Sequence, residues 1–391
     1  MYELSFDTLG QHGLTRDANT KNNIQPRDGT RMNVDALTGG FDRRDWQEQT
    51  ETDDPVRFAM IGVGWWTTEQ AMPAVDAGDL CETTVLISSD REKAADVAAD
   101  SETVEHAITY EEFHDGVASD AYDAVYIVTP NALHLPYVET AAELDKAILC
   151  EKPMEATIER AERMVDVCDE HDATLMIAYR MHTEPAVRRA KDLIDEGYIG
   201  EPLFVHGNMT EPILELVPDP DQWRLDGELS GGCAVMDIGI YPLNTSRFLL
   251  DADPVAVRGT VASVQEEFAD VPDEHGAFQL DFPGHVYAVC TASQNAHLDS
   301  HISVLGTEGK VRVEPAFYPW DDRALQLSHE GTTVDIGFEQ IDQMEEEFEY
   351  FAHCLLTDTE PYADGEHGLV DINTIKAVYE ASETESTVTL D

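Results

Sequence analysis

Between residues 57 and 178 the chain alternates short apolar runs with helical segments, and few folds accommodate that order. The runs are Arg57-Phe58-Ala59-Met60-Ile61, Thr84-Val85-Leu86-Ile87, Ala124-Val125-Tyr126-Ile127-Val128, Ala147-Ile148-Leu149 and Leu175-Met176-Ile177-Ala178. Runs this short read as buried strands. The segments from Arg91 to Ala99, capped by Ser89 or Asp90, and from Ile158 to Asp169 carry helical periodicity with an acidic outer face. Strands separated by helices require a parallel, doubly wound sheet. After Arg180 the texture changes. One helix, Ala186 to Glu196, stops at Gly197, and then strands such as Val255 to Thr260, Val286 to Ala292 and Ile302 to Leu305 follow one another. Consecutive strands imply a mostly antiparallel, open sheet, closed by helices near Gln343 to Leu356 and Leu369 to Ser382. The expected organisation is an α/β domain over 55–181 followed by an α+β domain over 182–391.

A chain of 391 residues exceeds what one core usually serves, which agrees with two domains. Its charge narrows the partners: 79 acidic against 24 basic residues give −55, spread along the sequence. Such a surface repels nucleic acid and anionic membranes. At molar salt the Debye length falls to about 3 Å, which screens the self-repulsion, so the composition reads as that of a halophile's cytoplasmic protein. The six cysteines, Cys81, Cys150, Cys168, Cys233, Cys290 and Cys354, have no paired spacing and read as reduced core residues, with no metal site implied. No apolar stretch approaches the roughly 20 residues that span a bilayer. Residues 1–31 hold four acids and four bases, so the remainder carries the whole −55. That shift, with Met32 available as a start, marks 1–31 as a disordered leader or a misassigned start, ahead of a polar arm over 32–54 with Phe41 and Trp46.

Directly after the first run comes Gly62-Val63-Gly64-Trp65-Trp66-Thr67. Glycines there permit a tight turn and let backbone amides approach a pyrophosphate, the signature of a Rossmann dinucleotide-binding domain, with Thr67 in the third glycine position. A glycine pair alone would mark any tight turn; the strand before it supplies the required context. Gly62, Gly64, Trp65 and Trp66 are therefore candidate cofactor contacts. The second strand ends in Ser88-Ser89-Asp90-Arg91, without the ribose-binding acid usual for NAD. Ser88, Ser89 and Arg91 suit a 2′-phosphate, hence NADP with NAD as the weaker alternative. Ser89 or Asp90 acting only as a helix cap, with Arg91 on the surface, is the competing reading.

Three further stretches complete the pattern: Thr129-Pro130-Asn131 with His134, Glu151-Lys152-Pro153 after the fourth run, and Gly231-Gly232-Cys233-Ala234-Val235-Met236-Asp237-Ile238-Gly239-Ile240-Tyr241. Pro153 holds Lys152 in extended backbone at a strand's carboxyl end, the edge where open α/β sheets bind ligands. With these motifs the chain resembles the family of glucose-fructose oxidoreductase, inositol dehydrogenase and MocA from about Val56 to Leu390. The resemblance implies that Thr129, Pro130, Asn131 and His134 line the nicotinamide side and that Glu151 and Lys152 reach the cofactor, Lys152 bridging it to substrate. Tyr241 stands where many inositol-type members carry histidine, which favours the branch acting on aldoses and dihydrodiols.

Oxidising a hemiacetal carbon requires a base for the hydroxyl proton as hydride leaves. A tyrosine is a poor base at neutral pH unless a neighbouring ammonium stabilises its phenolate, so Lys152 and Tyr241 are wanted together. Asp237, four residues before Tyr241, shares its face if the segment is helical and orients sugar hydroxyls. Tyr179, Arg180, His182, Trp223 and Arg224 are candidate sugar contacts, or ordinary packing and surface residues. The expected activity is an NADP-dependent aldose 1-dehydrogenase converting a sugar such as D-xylose to its lactone, assembled as a homo-oligomer through the second sheet. The alternatives are a coupled sugar oxidoreductase, a dihydrodiol or inositol dehydrogenase, or a sugar-sensing regulator that binds dinucleotide without turnover.

Overall fold

The computed structural model describes residues 37, 39–41, 44–50, 52 and 54–390. The expected leader over 1–31 lies outside the described residues. The first sheet consists of β1 (Val56–Ile61), β2 (Cys81–Ser88), β3 (His106–Thr109), β4 (Ala124–Ile127), β5 (Ala147–Glu151) and β6 (Leu175–Ala178). Their order is β3-β2-β1-β4-β5-β6, every pair parallel. The five apolar runs are all strands. Strand β3 carried no sequence signal because it is short, at the sheet edge and only at Ile108 fully buried. The strand order reverses between β1 and β4, so the crevice for a ligand opens above Ile61 and Ile127.

The second sheet has nine strands: β7 (Pro202–Pro212), β8 (Ala256–Ala262), β9 (His275–Phe282), β10 (Val286–Ser293), β11 (Asn295–Gly306), β12 (Gly309–Glu314), β13 (Ala324–His329), β14 (Thr332–Ile336) and β15 (Val388–Thr389). They run β14-β13-β12-β11-β7-β10-β9-β8-β15. All neighbours are antiparallel except β7 and β10. Along β7 the inner positions Val205, Gly207 and Met209 are buried while Phe204 and His206 are exposed, the alternation of a sheet covered on one face. Gly207 makes that cover close: a Cβ there would stand 2.5 Å from Cβ of Pro242, on the helix Ile240–Leu250.

The helix Gln343–Thr357 departs from the simple division at residue 181. Its Met344, Phe348, Phe351 and Ala352 join Phe58, Met60, Leu86 and Tyr126 in the core of the first sheet. Phe348 meets Phe58 and Tyr126 edge to face, with centroids 5.2 and 5.1 Å apart. The described part of the arm packs against this helix. Phe41 stacks on Phe338, Trp46 lies 5.2 Å from Tyr350 and beneath the Arg188 guanidinium, and Arg44 pairs with Glu345 and Glu346. All six cysteines are buried and free. No helix among the described residues is long and apolar enough to cross a membrane.

Candidate active site

The loop after β1 is built to receive a ligand closely. Gly62 has φ +102°, and a Cβ there would stand 2.7 Å from the Val128 carbonyl oxygen of the neighbouring strand end. At Gly64 a Cβ would meet nothing within 4 Å, so the backbone borders open space. Thr67, buried in the third glycine position, donates from Oγ1 to the Gly62 carbonyl and closes the turn from within. Across the crevice, Thr129 Oγ1 is buried with no partner among the described residues, an atom left for something else to satisfy. These features fit a dinucleotide.

At the end of β2, Asp90 Oδ1 accepts from the Glu92 and Lys93 amides and caps the helix Arg91–Ala98. Its carboxylate is thereby turned into the helix. Ser88 is buried and accepts from the Asp90 amide, Ser89 is exposed, and the half-exposed Arg91 pairs with Glu112. Capping and a half-exposed guanidinium at the strand end thus coexist, although Arg91 is also paired with Glu112.

Beneath the loop runs a hydrogen-bond chain. Trp66 Nε1 donates to the Tyr126 hydroxyl at 2.9 Å, which donates to Glu151 Oε1 at 2.6 Å, while Glu151 Oε2 accepts from the Lys152 amide. Glu151 therefore fixes where Lys152 leaves β5; the peptide between Lys152 and Pro153 is cis. Trp65, in contrast, is 58% exposed.

Lys152 reaches across to the second motif. Its Nζ donates to the Asp237 carbonyl at 2.9 Å, lies 3.4 Å from Asp237 Oδ1, and stands 4.7 Å from the Tyr241 ring centroid. The motif is helical: a π-helical stretch, Ala234–Gly239, runs into the helix Ile240–Leu250, so Asp237 and Tyr241 do share a face. Burial opposes the Lys152 charge, but Tyr241, Asp237 and Glu151 outweigh it and hold the ammonium's pKa above its ordinary value. Burial likewise opposes the Asp237 charge, yet Arg224 and Lys152 keep its carboxyl below the usual range.

Asp237 is more committed than the sequence suggested. Besides Lys152 it accepts from Arg224 Nε at 2.8 Å and Gln294 Nε2 at 2.9 Å, both on Oδ2. It binds the cations of the cleft together rather than standing open to sugar hydroxyls. Trp223 lies against the Arg224 guanidinium at 4.6 Å. Tyr241 receives hydrogen bonds from Arg180 Nε at 3.2 Å and Nη2 at 2.9 Å. Arg180 is itself held by Gln343 Oε1 and the Phe317 carbonyl, and its guanidinium lies 5.7 Å from the Trp66 ring. Tyr241 thus has one cation at its hydroxyl and a second over its ring.

Other candidates sit behind the cleft. His134 is fully buried, its ring nitrogens against the Thr129 and Met154 carbonyls, so it ties the loop after β4 to the one after β5 instead of lining either. Asn131 Nδ2 donates to the Ser230 carbonyl, joining that loop to the glycine motif, while Thr129 and Pro130 remain partly exposed. Tyr179 and His182 do not reach Tyr241. His182 stacks on Phe248 and donates from Nε2 to Asn244 Oδ1, and burial pushes its pKa well down. Tyr179 packs with His182 and His367.

The structure adds residues that carried no motif. Gln294 and Glu211 stand beside Asp237, Gln343 orients Arg180, and Glu347 is buried with neither carboxyl oxygen partnered among the described residues. Burial first, and then Glu151, push the Glu347 carboxyl well up. A charged side chain at an inner-strand position was the one local signal available, at Glu211.

Two family models match the chain: the oxidoreductase family's NAD-binding Rossmann fold over residues 56–179, and the GFO/IDH/MocA C-terminal domain over 187–312. A D-xylose 1-dehydrogenase [NADP(+)] of Haloarcula marismortui is 98% identical over 360 residues, 92% of this chain and 100% of that protein. A D-xylose 1-dehydrogenase (NADP(+)) 2 of Haloferax volcanii is 29% identical across 85% of this chain and 99% of its own length. Among solved structures, the aldose-aldose oxidoreductase of Caulobacter crescentus, complexed with glycerol, superposes with a TM-score of 0.81 at 30% identity, covering 86% of this chain and all of that one.

Proposed function

The chain belongs to the GFO/IDH/MocA family of oxidoreductases, and from that premise we propose that it is an NADP-dependent aldose 1-dehydrogenase oxidising D-xylose to its lactone. One observation carries this reading: the 98% identity to the Haloarcula D-xylose dehydrogenase over that protein's whole length. Gly62, Gly64 and Trp66 would hold the cofactor's pyrophosphate side, Ser88, Ser89 and Arg91 its 2′-phosphate, and Thr129 its nicotinamide end. Bound NADP supplies the acceptor for the hydride leaving C1.

The protein's own part is the proton. Tyr241 takes it from the anomeric hydroxyl at its phenolic oxygen, to which Arg180 donates while the Lys152 ammonium stands over the ring. Lys152 also donates to the reacting oxygen, and Asp237 keeps Lys152 and Arg224 oriented toward it. Removing water from around these paired charges strengthens each interaction.

The acidic composition and the six reduced cysteines support a salt-rich cytoplasm as the working environment. Phe204, Tyr287 and Val289 on the outer face of the second sheet support self-association through that face. The test is NADPH formation, followed by absorbance at high salt, across pentoses and hexoses. D-xylose with NADP should give the highest kcat/KM. NADPH that never accumulates while a second aldose is reduced would favour the coupled reaction, and no turnover of any aldose would favour a regulator.

A further inference from the structure

The inner face of the second sheet is apolar along β7 at Val205, Gly207 and Met209, and the next residue in the same phase is Glu211. A carboxyl there is unfavourable unless something offsets it. Glu211 is only 8% exposed, and the charges around it are those of the reaction site: Asp237, Arg224 and Lys152, with the Tyr318 phenol also within range. Both cations are already engaged by Asp237, Arg224 at 2.8 Å and Lys152 at 3.4 Å. Gln294, 1% exposed, donates its amide nitrogen to Asp237 and also hydrogen-bonds the Glu211 side chain, while its Oε1 is buried with no donor among the described residues.

This corner of the cleft therefore holds more acceptors than its own donors satisfy. A polyhydroxylated ligand brings donors. We propose that Glu211 is a further substrate-contacting residue, whose carboxylate accepts a hydrogen bond from a sugar hydroxyl other than the one oxidised and so contributes to the selection of an aldose. This rests on the aldose reading above. The chemistry sets a pH dependence. Burial first, then the charge of Asp237, push the Glu211 carboxyl up to about 7, against the opposing pull of Arg224, Lys152 and the Gln294 hydrogen bond. The ionised form is the stronger acceptor, so sugar affinity should improve as pH rises through that value.

Glu211→Gln keeps shape and removes charge. Steady-state kinetics should show KM for D-xylose raised by about 10- to 100-fold with KM for NADP unchanged. The parent's KM for D-xylose should fall as pH rises through about 7, and that fall should vanish in the variant. An unchanged KM for D-xylose, or an equal rise in both KM values, would overturn the proposal and leave Glu211 as a spacer for Arg224. Should the glutamine variant not fold, Glu211→Asp retains charge with shorter reach: a raised KM that still falls with pH supports the contact, and a parent-like KM overturns it. Failure of the aldose reading appears separately, as absence of turnover in the parent.

Discussion

Removing one hydroxyl from Tyr241 isolates its chemical role, because Arg180 and Lys152 would remain beside the ring. Tyr241→Phe should lower kcat by about 10²- to 10⁴-fold while KM for NADP stays near the parent value. Near-parent turnover would make Tyr241 a packing residue. Lys152→Met should lose at least as much, and the double variant should lose less than the two losses combined, since base and ammonium act as one unit. At the cofactor end, Arg91→Ala should reduce the preference for NADP over NAD roughly ten-fold or more, the worth of one charged hydrogen bond. An unchanged ratio of kcat/KM values would assign Arg91 to Glu112 alone. Lys152 and Arg91 stood out in sequence because each follows the end of a strand, and Tyr241 because it closes the motif that carries Asp237. Arg180 was ambiguous there, and only its bonds to Tyr241, Gln343 and Phe317 decide its place.

At the scale of elements, the glycine motif is the joint between domains. A Cβ at Gly231 would stand 2.4 Å from the Ala156 carbonyl oxygen on the loop after Lys152, and one at Gly232, with φ +150°, 2.1 Å from the Tyr379 hydroxyl. Asp273 receives the Cys233 and Val235 amides, anchoring the start of the helical run that carries Asp237 and Tyr241. The arm is the other element whose role emerges from packing. Phe41 and Trp46 are the aromatic residues of a stretch that composition describes only as polar, and both are buried. Trp46→Ala should therefore cost about 3–5 kcal/mol in chemical denaturation at high salt, with kcat of the folded fraction unchanged. A loss under about 1 kcal/mol would mean that the arm rests on Tyr350 and Arg188 without supporting them.

For the whole molecule, charge sets the conditions of stability. A net −55 repels itself, and screening is what ionic strength provides. Dialysis to about 0.05 M salt should lower the melting temperature and the activity, and full retention of both would refute a salt requirement. Acidification should act in the same direction as salt. Glu211 and Asp273 are raised by burial to about 7 and about 6, so between those values and the ordinary carboxylate range the folded state binds protons that the unfolded state does not. At low salt the melting temperature should accordingly rise as pH falls from about 8 to about 6. A midpoint that falls over that interval would show the buried acids to be stabilised as anions.

The parallel sheet, the dinucleotide loop and the shared face of Asp237 and Tyr241 could be read from sequence because each depends on local chemistry. Apolar runs of strand length alternate with helices, Gly62 must adopt a positive φ, and a helical four-residue spacing puts Asp237 and Tyr241 on one face. The helix Gln343–Thr357 was equally legible as a helix, yet its partner was not: its apolar stripe would suit either sheet, and packing against Phe58 and Tyr126 assigns it to the first. Lys152 meets Asp237 across 85 residues, and Arg180 meets Gln343 across 163. No periodicity encodes such pairs, because they form only when the two sheets have folded and their strand ends converge, and Glu211 comes to stand beside Asp237 for the same reason.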